Sequence, residues 1–193
     1  MQKTILFIDG ENFLAKMREV LKERRTHAKL HCYDFAGLFD KVLAGVGVER
    51  KIFYLARLKE HPETREKSKQ LIEAQRLLKT HLEKQGFEII IAGRVRGFEE
   101  KGADGKKVLV FKEKGIDVRI AVDMVSFACD RKLKTAIIGS SDSDLQPAIS
   151  ELAGRNVERV YLGFESMPNK GMSYTANRTI LIRNSEVMEF AGN

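Results

Sequence analysis

The sequence predicts an α/β fold: a three-layer α/β/α sandwich on a mostly parallel, Rossmann-like sheet, with a basic β-hairpin inserted into it. Three observations carry this. Short β-branched runs alternate with stretches whose apolar residues fall at helical spacing, a βαβα order with short connections that suits a parallel sheet covered on both faces. Acidic residues stand directly after two of the runs, at Asp9 and at Asp142 and Asp144, where an open α/β sheet collects ligands beyond its strand ends. One segment, 93–114, drops the helical spacing for alternation. With 193 residues, 43% of them hydrophobic, the chain is long enough to bury a substantial core in one domain, 1–193.

Thr4-Ile5-Leu6-Phe7-Ile8 reads as a buried central strand that delivers Asp9-Gly10-Glu11-Asn12. From Asn12 to Arg24, Phe13, Met17, Val20 and Leu21 predict the first helix. Asp34 suits the N-cap of a second helix that buries Phe35, Leu38, Phe39, Val42 and Leu43 and breaks at Gly45 and Gly47. Arg50 to Ala56 predicts the next strand. A long helix follows Pro62 to about Gln85, with Leu71, Ala74, Gln75, Leu78 and Leu82 on one face and Gly86 as its stop; Phe87 to Ile91 is a further strand.

In the insertion, Arg94-Val95-Arg96 and Lys107 to Phe111 alternate around the turn signal Gly102-Ala103-Asp104-Gly105. Its seven Lys and Arg against four Asp and Glu suit a grip on phosphates, through Arg94 and Arg96 among others, although a basic hairpin is also an ordinary way to blunt a sheet edge. Lys114-Gly115-Ile116-Asp117 introduces a helix expected to bury Val118, Ala121, Val122, Val125 and Cys129. Thr135 to Gly139 is the strand that delivers Ser140-Ser141-Asp142-Ser143-Asp144, and Leu145 to Ala153 the helix after it, ended by Gly154. Arg159 to Leu162 and Thr179 to Ile182 are the last strands, and Phe164 to Arg178 reads as a mobile loop near the site.

Composition excludes several classes. Apolar runs such as Ile5 to Ile8 are far too short for a membrane span or a signal peptide, so no membrane is expected and a cytoplasmic location is the default. Cys32 and Cys129 lack CxxC spacing and suit buried free thiols. There is no P-loop or G-x-G-x-x-G, hence no expected nucleotide cofactor, and no G-x-S-x-G of a serine hydrolase. His27 and His31 share helical spacing but lack a carboxylate motif beside them, so a solvated pair is favoured over zinc. A formal charge of +7 favours a polyanionic partner, nucleic acid first. Residues 57–86 hold eight Lys or Arg against five Glu, and 154–183 five against two, enough for a basic rim. Tyr174 and Phe164 are the candidate base-stacking aromatics.

In a parallel sheet all strand ends reach one rim, so Asp9, Asp142 and Asp144 converge if their strands are neighbours, and Asp117 can join from a helix start. Four carboxylates together repel, and a hard divalent cation, Mg²⁺ or Mn²⁺, is the economical way to hold them. The structural alternatives are helix capping by Asp142 or Asp144 and a simple dipole preference of Asp117. Asp123, six residues beyond Asp117, points about 120° away around the helix, so one ion would not take both. Asn12, Ser140 and Ser141 would position water or substrate, and Lys114 would meet a phosphate.

Phe7-Ile8-Asp9-Gly10-Glu11-Asn12, then Lys114-Gly115-Ile116-Asp117-Val118 with Asp123, and Ser140-Ser141-Asp142-Ser143-Asp144-Leu145 with Pro147 resemble the three motifs of the NYN domain, the PIN-like nuclease group that includes the LabA-like bacterial proteins. The resemblance spans about Thr4 to Gly163. It implies a PIN-like fold and a Mg²⁺- or Mn²⁺-dependent ribonuclease with Asp9, Asp117, Asp142 and Asp144 as its acidic cluster and Asn12 beside it. Ser141 departs from the family's usual glycine and Leu145 from its usual aromatic.

The expected function is therefore metal-assisted hydrolysis of RNA, single-stranded in the first instance. The competing reading is a PIN-like module that binds RNA or a protein without cutting, its acids a vestigial metal site. A Toprim-like phosphotransfer domain also places an acid after one strand and D-x-D after another, but requires neither Asn12 nor the Lys114 to Asp117 motif. A homodimer is left open.

Overall fold

The computed structural model describes residues 1–23, 29–60, 64–101 and 107–192, with side chains described at all of these except 96–101 and 107–113. In chain order the elements are β1 (Lys3–Asp9), α1 (Gly10–Glu23), α2 (Phe35–Val42), β2 (Arg50–Ala56), α3 (Arg65–Lys84), β3 (Glu88–Ala92), β4 (Arg94–Lys101), β5 (Lys107–Lys114), α4 (Ile116–Cys129), β6 (Leu133–Gly139), α5 (Gln146–Ala153), β7 (Glu158–Phe164), α6 (Lys170–Thr175), β8 (Arg178–Ile182) and α7 (Asn184–Glu189). Short 3-10 turns at Leu30–Cys32 and Ser143–Leu145 precede α2 and α5.

Six strands, all parallel, form one sheet in the order β3-β2-β1-β6-β7-β8. The chain builds outward from β1 in one direction through β2 and β3, then returns to β6 beside β1 and builds the other way. The order therefore reverses between β1 and β6, and a crevice opens at their carboxyl ends, the place where such sheets bind ligands. The register Ile8↔Gly139 brings Asp9 and the Ser140–Asp144 segment to opposite sides of that crevice.

Alternation along the central strands sends side chains into two cores. Leu6, Ile8, Phe53, Leu55, Ile137, Val160 and Leu162 face α1, α2, α3 and α7. Ile5, Phe7, Ile52, Tyr54, Ala136, Ile138 and Tyr161 face α4 and α5. This is the predicted three-layer sandwich. The first core is rich in aromatic rings, with Phe13 centred 5.3 Å from Phe39 and 5.0 Å from Phe164. Such pairs add about 0.5–1.5 kcal/mol each beyond the area they bury.

The predicted hairpin is present as β4 and β5, an antiparallel two-stranded sheet of its own in register Arg94↔Lys114 through Lys101↔Lys107. Its base is pinned by the Val95 N–H, which donates to the Arg57 carbonyl at 3.3 Å. The expected turn Gly102 to Gly105, the side chain of Arg96, and the residues His27, Arg24 and Pro62 lie outside what is described.

Several expectations are corrected. The helix expected to bury Val118, Ala121, Val122, Val125 and Cys129 buries Ile116, Ile120, Met124 and Ala128; Ala121 and Val125 pack partly buried against the same core, while Val118 and Val122 are 61% and 53% exposed. α4 carries two overlapping apolar stripes, and its packing on the sheet is centred on the one that sequence spacing had not picked. Cys129, on the losing stripe, is exposed, as is Cys32, so neither is a buried thiol. Along α3, Leu78 and Leu82 are buried as expected, whereas Leu71 and Ala74 are exposed because the first core reaches only the C-terminal half of that helix. Phe164 to Arg178 contains α6, capped by Asn169, and Phe164 is buried in the first core, so it offers no stacking surface; Tyr174 is 93% exposed. α7 has no counterpart in the sequence reading, and α1 begins at Gly10, earlier than its apolar periodicity indicates. Among the described residues no helix is long and apolar enough to cross a membrane.

Gly10 marks the tightest approach in the frame. A Cβ at that position would stand 2.3 Å from the Tyr54 carbonyl oxygen and 2.7 Å from the Leu55 side chain. Backbone cannot retreat as a flexible side chain does, so Gly10→Ala is expected to destabilise by about 3 kcal/mol, read as a lowered urea midpoint with unchanged m-value.

Candidate active site

The site is built from the ends of β1 and β6. Asp9, the last residue of β1, is only 6% exposed. Its Oδ1 accepts the Asn12 N–H at 3.2 Å in the first turn of α1, and its Oδ2 accepts the Ser140 hydroxyl at 3.1 Å. The same Ser140 Oγ accepts the Asp142 N–H at 3.1 Å, so one buried hydroxyl joins the Asp9 carboxylate to the backbone of Asp142. A second bridge runs alongside it: the Ser141 N–H donates to Asn12 Oδ1 at 2.9 Å. Asp142 Oδ1 accepts the Asp144 N–H at 3.0 Å, and so caps the short turn before α5. The capping alternative is thus realised through one of its two carboxylate oxygens.

Burial pushes the Asp9 carboxyl above the usual carboxylate range; the hydrogen bonds from Asn12 and Ser140 pull it down, and the charges of Asp142 and Glu11 push it further up. A buried carboxylate beside two others is a site that favours either a proton or a cation. The candidate donors are all carboxylate oxygens, the set a hard divalent ion takes. Among the described residues, however, no three His, Cys, Asp or Glu side chains stand together closely enough to hold a metal ion. What the structure brings together is Asp9 and the Asp142 backbone, joined through Ser140.

The remaining predicted site residues lie on other elements or are exposed. Asp117 is half-buried in the first turn of α4, just after Gly115, whose φ of 94° turns the chain from the hairpin into the helix. Asp144 is exposed on the rim. Asp123 faces elsewhere, as its helical angle predicts: Arg119 Nε lies 2.9 Å from both of its oxygens, and the Tyr54 hydroxyl donates to it at 3.0 Å. Burial, together with the Asp123 charge, raises the Tyr54 phenol and keeps it a donor. Arg94 and Lys114 are exposed and paired across the base of the hairpin. Ser140 is 3% exposed with its hydroxyl engaged inward, and Ser141 turns its hydroxyl to Tyr161 Oη at 3.2 Å. Both serines therefore work on the turn.

Sequence reasoning missed Glu11, Tyr161 and Asn169. Glu11 stood inside the first motif but at a position with no obvious partner. A tyrosine within an apolar strand and an Asn three residues before the Met172 amide it caps were the available signals for the other two.

A parallel α/β/α sandwich with acids at its switch point has the architecture of a PIN-like domain. The NYN domain model matches residues 3–183, and the chain belongs to that family. The match extends past Gly163, where the recognisable motifs thin out, to take in α6 and β8. NYN domains are generally nucleases. A structurally similar protein is a Vibrio parahaemolyticus protein of unknown function, 17% identical, with a TM-score of 0.58 over 94% of this chain and 93% of that one. That likeness speaks to the fold. No curated protein matches the chain.

Burial of the Asp9 carboxyl makes stability depend on pH. Between the ordinary carboxyl value of 3.8 and the higher folded value, the native state keeps a proton that the unfolded state has lost. Stability therefore falls as pH rises through that window, and the loss is complete above it. In metal-free buffer, the Tm difference between Asp9→Asn and wild type is expected to shift in favour of Asp9→Asn as pH rises from below the ordinary carboxyl value to 7, since the variant carries no buried charge to desolvate. Thermal melts across pH with EDTA present test this.

Proposed function

We propose that this protein is a metal-dependent ribonuclease that hydrolyses phosphodiester bonds of single-stranded RNA. The observation that carries the reading is the Ser140 hydroxyl bridge, which couples the buried Asp9 to Asp142 across neighbouring parallel strands at the sheet's switch point. Asp9 and Asp142 would hold Mg²⁺ or Mn²⁺, with Asp117 and Asp144 completing the acidic rim. Such a cation, when bound, lowers the pKa of water and screens charge on a phosphoryl oxygen.

The chain's own groups have separable parts. Ser140 and the Asn12 N–H hold both oxygens of Asp9, so its carboxylate has a defined orientation. Asn12 spends its Oδ1 on Ser141, which leaves the Nδ2 donor as its means of meeting a phosphate oxygen. Arg94 and Lys114 at the hairpin base would supply cations for the flanking phosphates, and the overall charge of +7 favours the encounter.

The second reading, a module that binds RNA or a protein partner without cutting, is favoured by one observation: no three described acidic side chains stand closely enough to hold an ion. Cleavage of end-labelled single-stranded RNA by the wild type and by Asp142→Asn, with Mn²⁺, with Mg²⁺ and with EDTA, separates the two. The nuclease is expected to cut only with metal, and Asp142→Asn to lose about a hundredfold or more in turnover while RNA affinity stays within about twofold. Equal RNA binding with no cleavage under any condition establishes the binding module. If cleavage occurs, its rate is expected to rise from neutral pH upward as water bound at the site loses its proton; a pH-rate profile that falls over that range contradicts the mechanism.

A further inference from the structure

Ser141 is fixed at each of its polar groups. Its N–H donates to Asn12 Oδ1 at 2.9 Å, its carbonyl accepts Asn169 Nδ2 at 2.8 Å, and its hydroxyl lies 3.2 Å from Tyr161 Oη. The first of these partners comes from the β1–α1 side of the crevice and the other two from the β7–α6 side. Asn169 is itself held at three points, since its Oδ1 accepts the Met172 N–H at 3.0 Å and its own N–H donates to Tyr161 Oη at 3.1 Å.

The strand supplying Tyr161 is shaped for this reach. Tyr161 is 0% exposed and pairs in register with Ile138, three residues short of Ser141, so its ring must lean along β7 toward the carboxyl end. It does so over Gly163, where a Cβ would stand 2.4 Å from Tyr161 Oη. A phenol buried among apolar side chains requires partners, and here they are Ser141 and Asn169. α6 is in turn held close to α5, because a Cβ at Gly171 would stand 2.3 Å from Gln146 Nε2.

We propose that Tyr161 and Asn169 are positioning residues which, through Ser141, hold the turn bearing Asp142 at a set distance from Asp9. Neither touches a reacting group; they act on Asp142 through the adjoining peptide. Asn12 restrains the turn from one side of the crevice, and the Tyr161–Asn169 pair restrains it from the other. With that second restraint removed, the turn pivots on the Asn12 contact, and the Ser140 bridge between Asp142 and Asp9 loses its fixed length. The effect on turnover rests on the nuclease reading, whereas the restraint itself rests on geometry alone.

The test uses the full chain with Tyr161→Phe, which keeps the ring and removes the hydroxyl, and Asn169→Ser, which keeps a capping oxygen and removes the donor to Ser141. Asn177→Ala serves as a control, because Asn177 Oδ1 accepts only from Arg159 at the opposite end of β7. Amide hydrogen exchange in EDTA is read over residues 140–145, Mn²⁺ affinity by electron paramagnetic resonance, and kcat and KM on single-stranded RNA. Both latch variants are expected to speed exchange over 140–145 by about tenfold while exchange in the middle of β6 and β7 stays near wild type, and the control to leave 140–145 unchanged. Mn²⁺ binding is expected to weaken several-fold, and kcat to fall about tenfold with KM nearly constant, since placement of the acids and not RNA contact is lost. Wild-type exchange over 140–145 in Tyr161→Phe, or an acceleration spread evenly through the sheet, overturns the proposal. If the wild type cuts no RNA, the nuclease reading falls, and the exchange comparison still decides whether the latch exists.

Discussion

Everything at the crevice depends on a buried serine hydroxyl. Ser140 Oγ has one proton to give and lone pairs to receive; it gives the proton to Asp9 and receives the Asp142 N–H. A carboxylate at the end of a central strand would otherwise be an acid sunk in an apolar sheet. With the hydroxyl and the Asn12 N–H it is hydrogen-bonded at both oxygens, and burial still holds its titration above the ordinary range. The bridge crosses between two strands that are distant in sequence and adjacent in the sheet, so it also ties the acids to the point where the fold reverses direction.

The charges of Asp142 and Glu11 both act on Asp9 and add to the effect of its burial. Asp123 illustrates the contrast: its charge is consumed by Arg119 and Tyr54, a structural pairing that anchors α4 to β2.

The turn itself is held more firmly than its sequence implies. Ser141 engages three neighbours from both sides of the crevice: its N–H and carbonyl make two contacts that need no side chain, and its hydroxyl adds the third. The segment after β7, read from composition as a loop, supplies one of them because Asn169 both caps α6 and reaches back to the turn. Short helices of this kind leave almost no periodic signal, and their stability comes from caps and packing.

Hydrophobic runs, strand-end acids and stop signals such as Gly86 are enough to place all eight strands, counting the hairpin, to within a few residues, and the three motif segments carry the family resemblance. Those features are local: a buried parallel strand must be apolar, and an acid after it must fall on the rim. The sequence by itself thus determined the fold class and the acids at the strand ends. Only the tertiary structure decided which apolar stripe of α4 faces the sheet, because both stripes satisfy helical spacing and their difference is settled by what they pack against. It also decided that Ser140 joins Asp9 to the backbone of Asp142, that Asp117 stays half-buried and Asp144 exposed, and that Tyr161 and Asn169 meet Ser141. Hydrogen bonds between residues separated by as many as 131 positions along the chain carry no local signature; they exist only once the sheet brings the strand ends together.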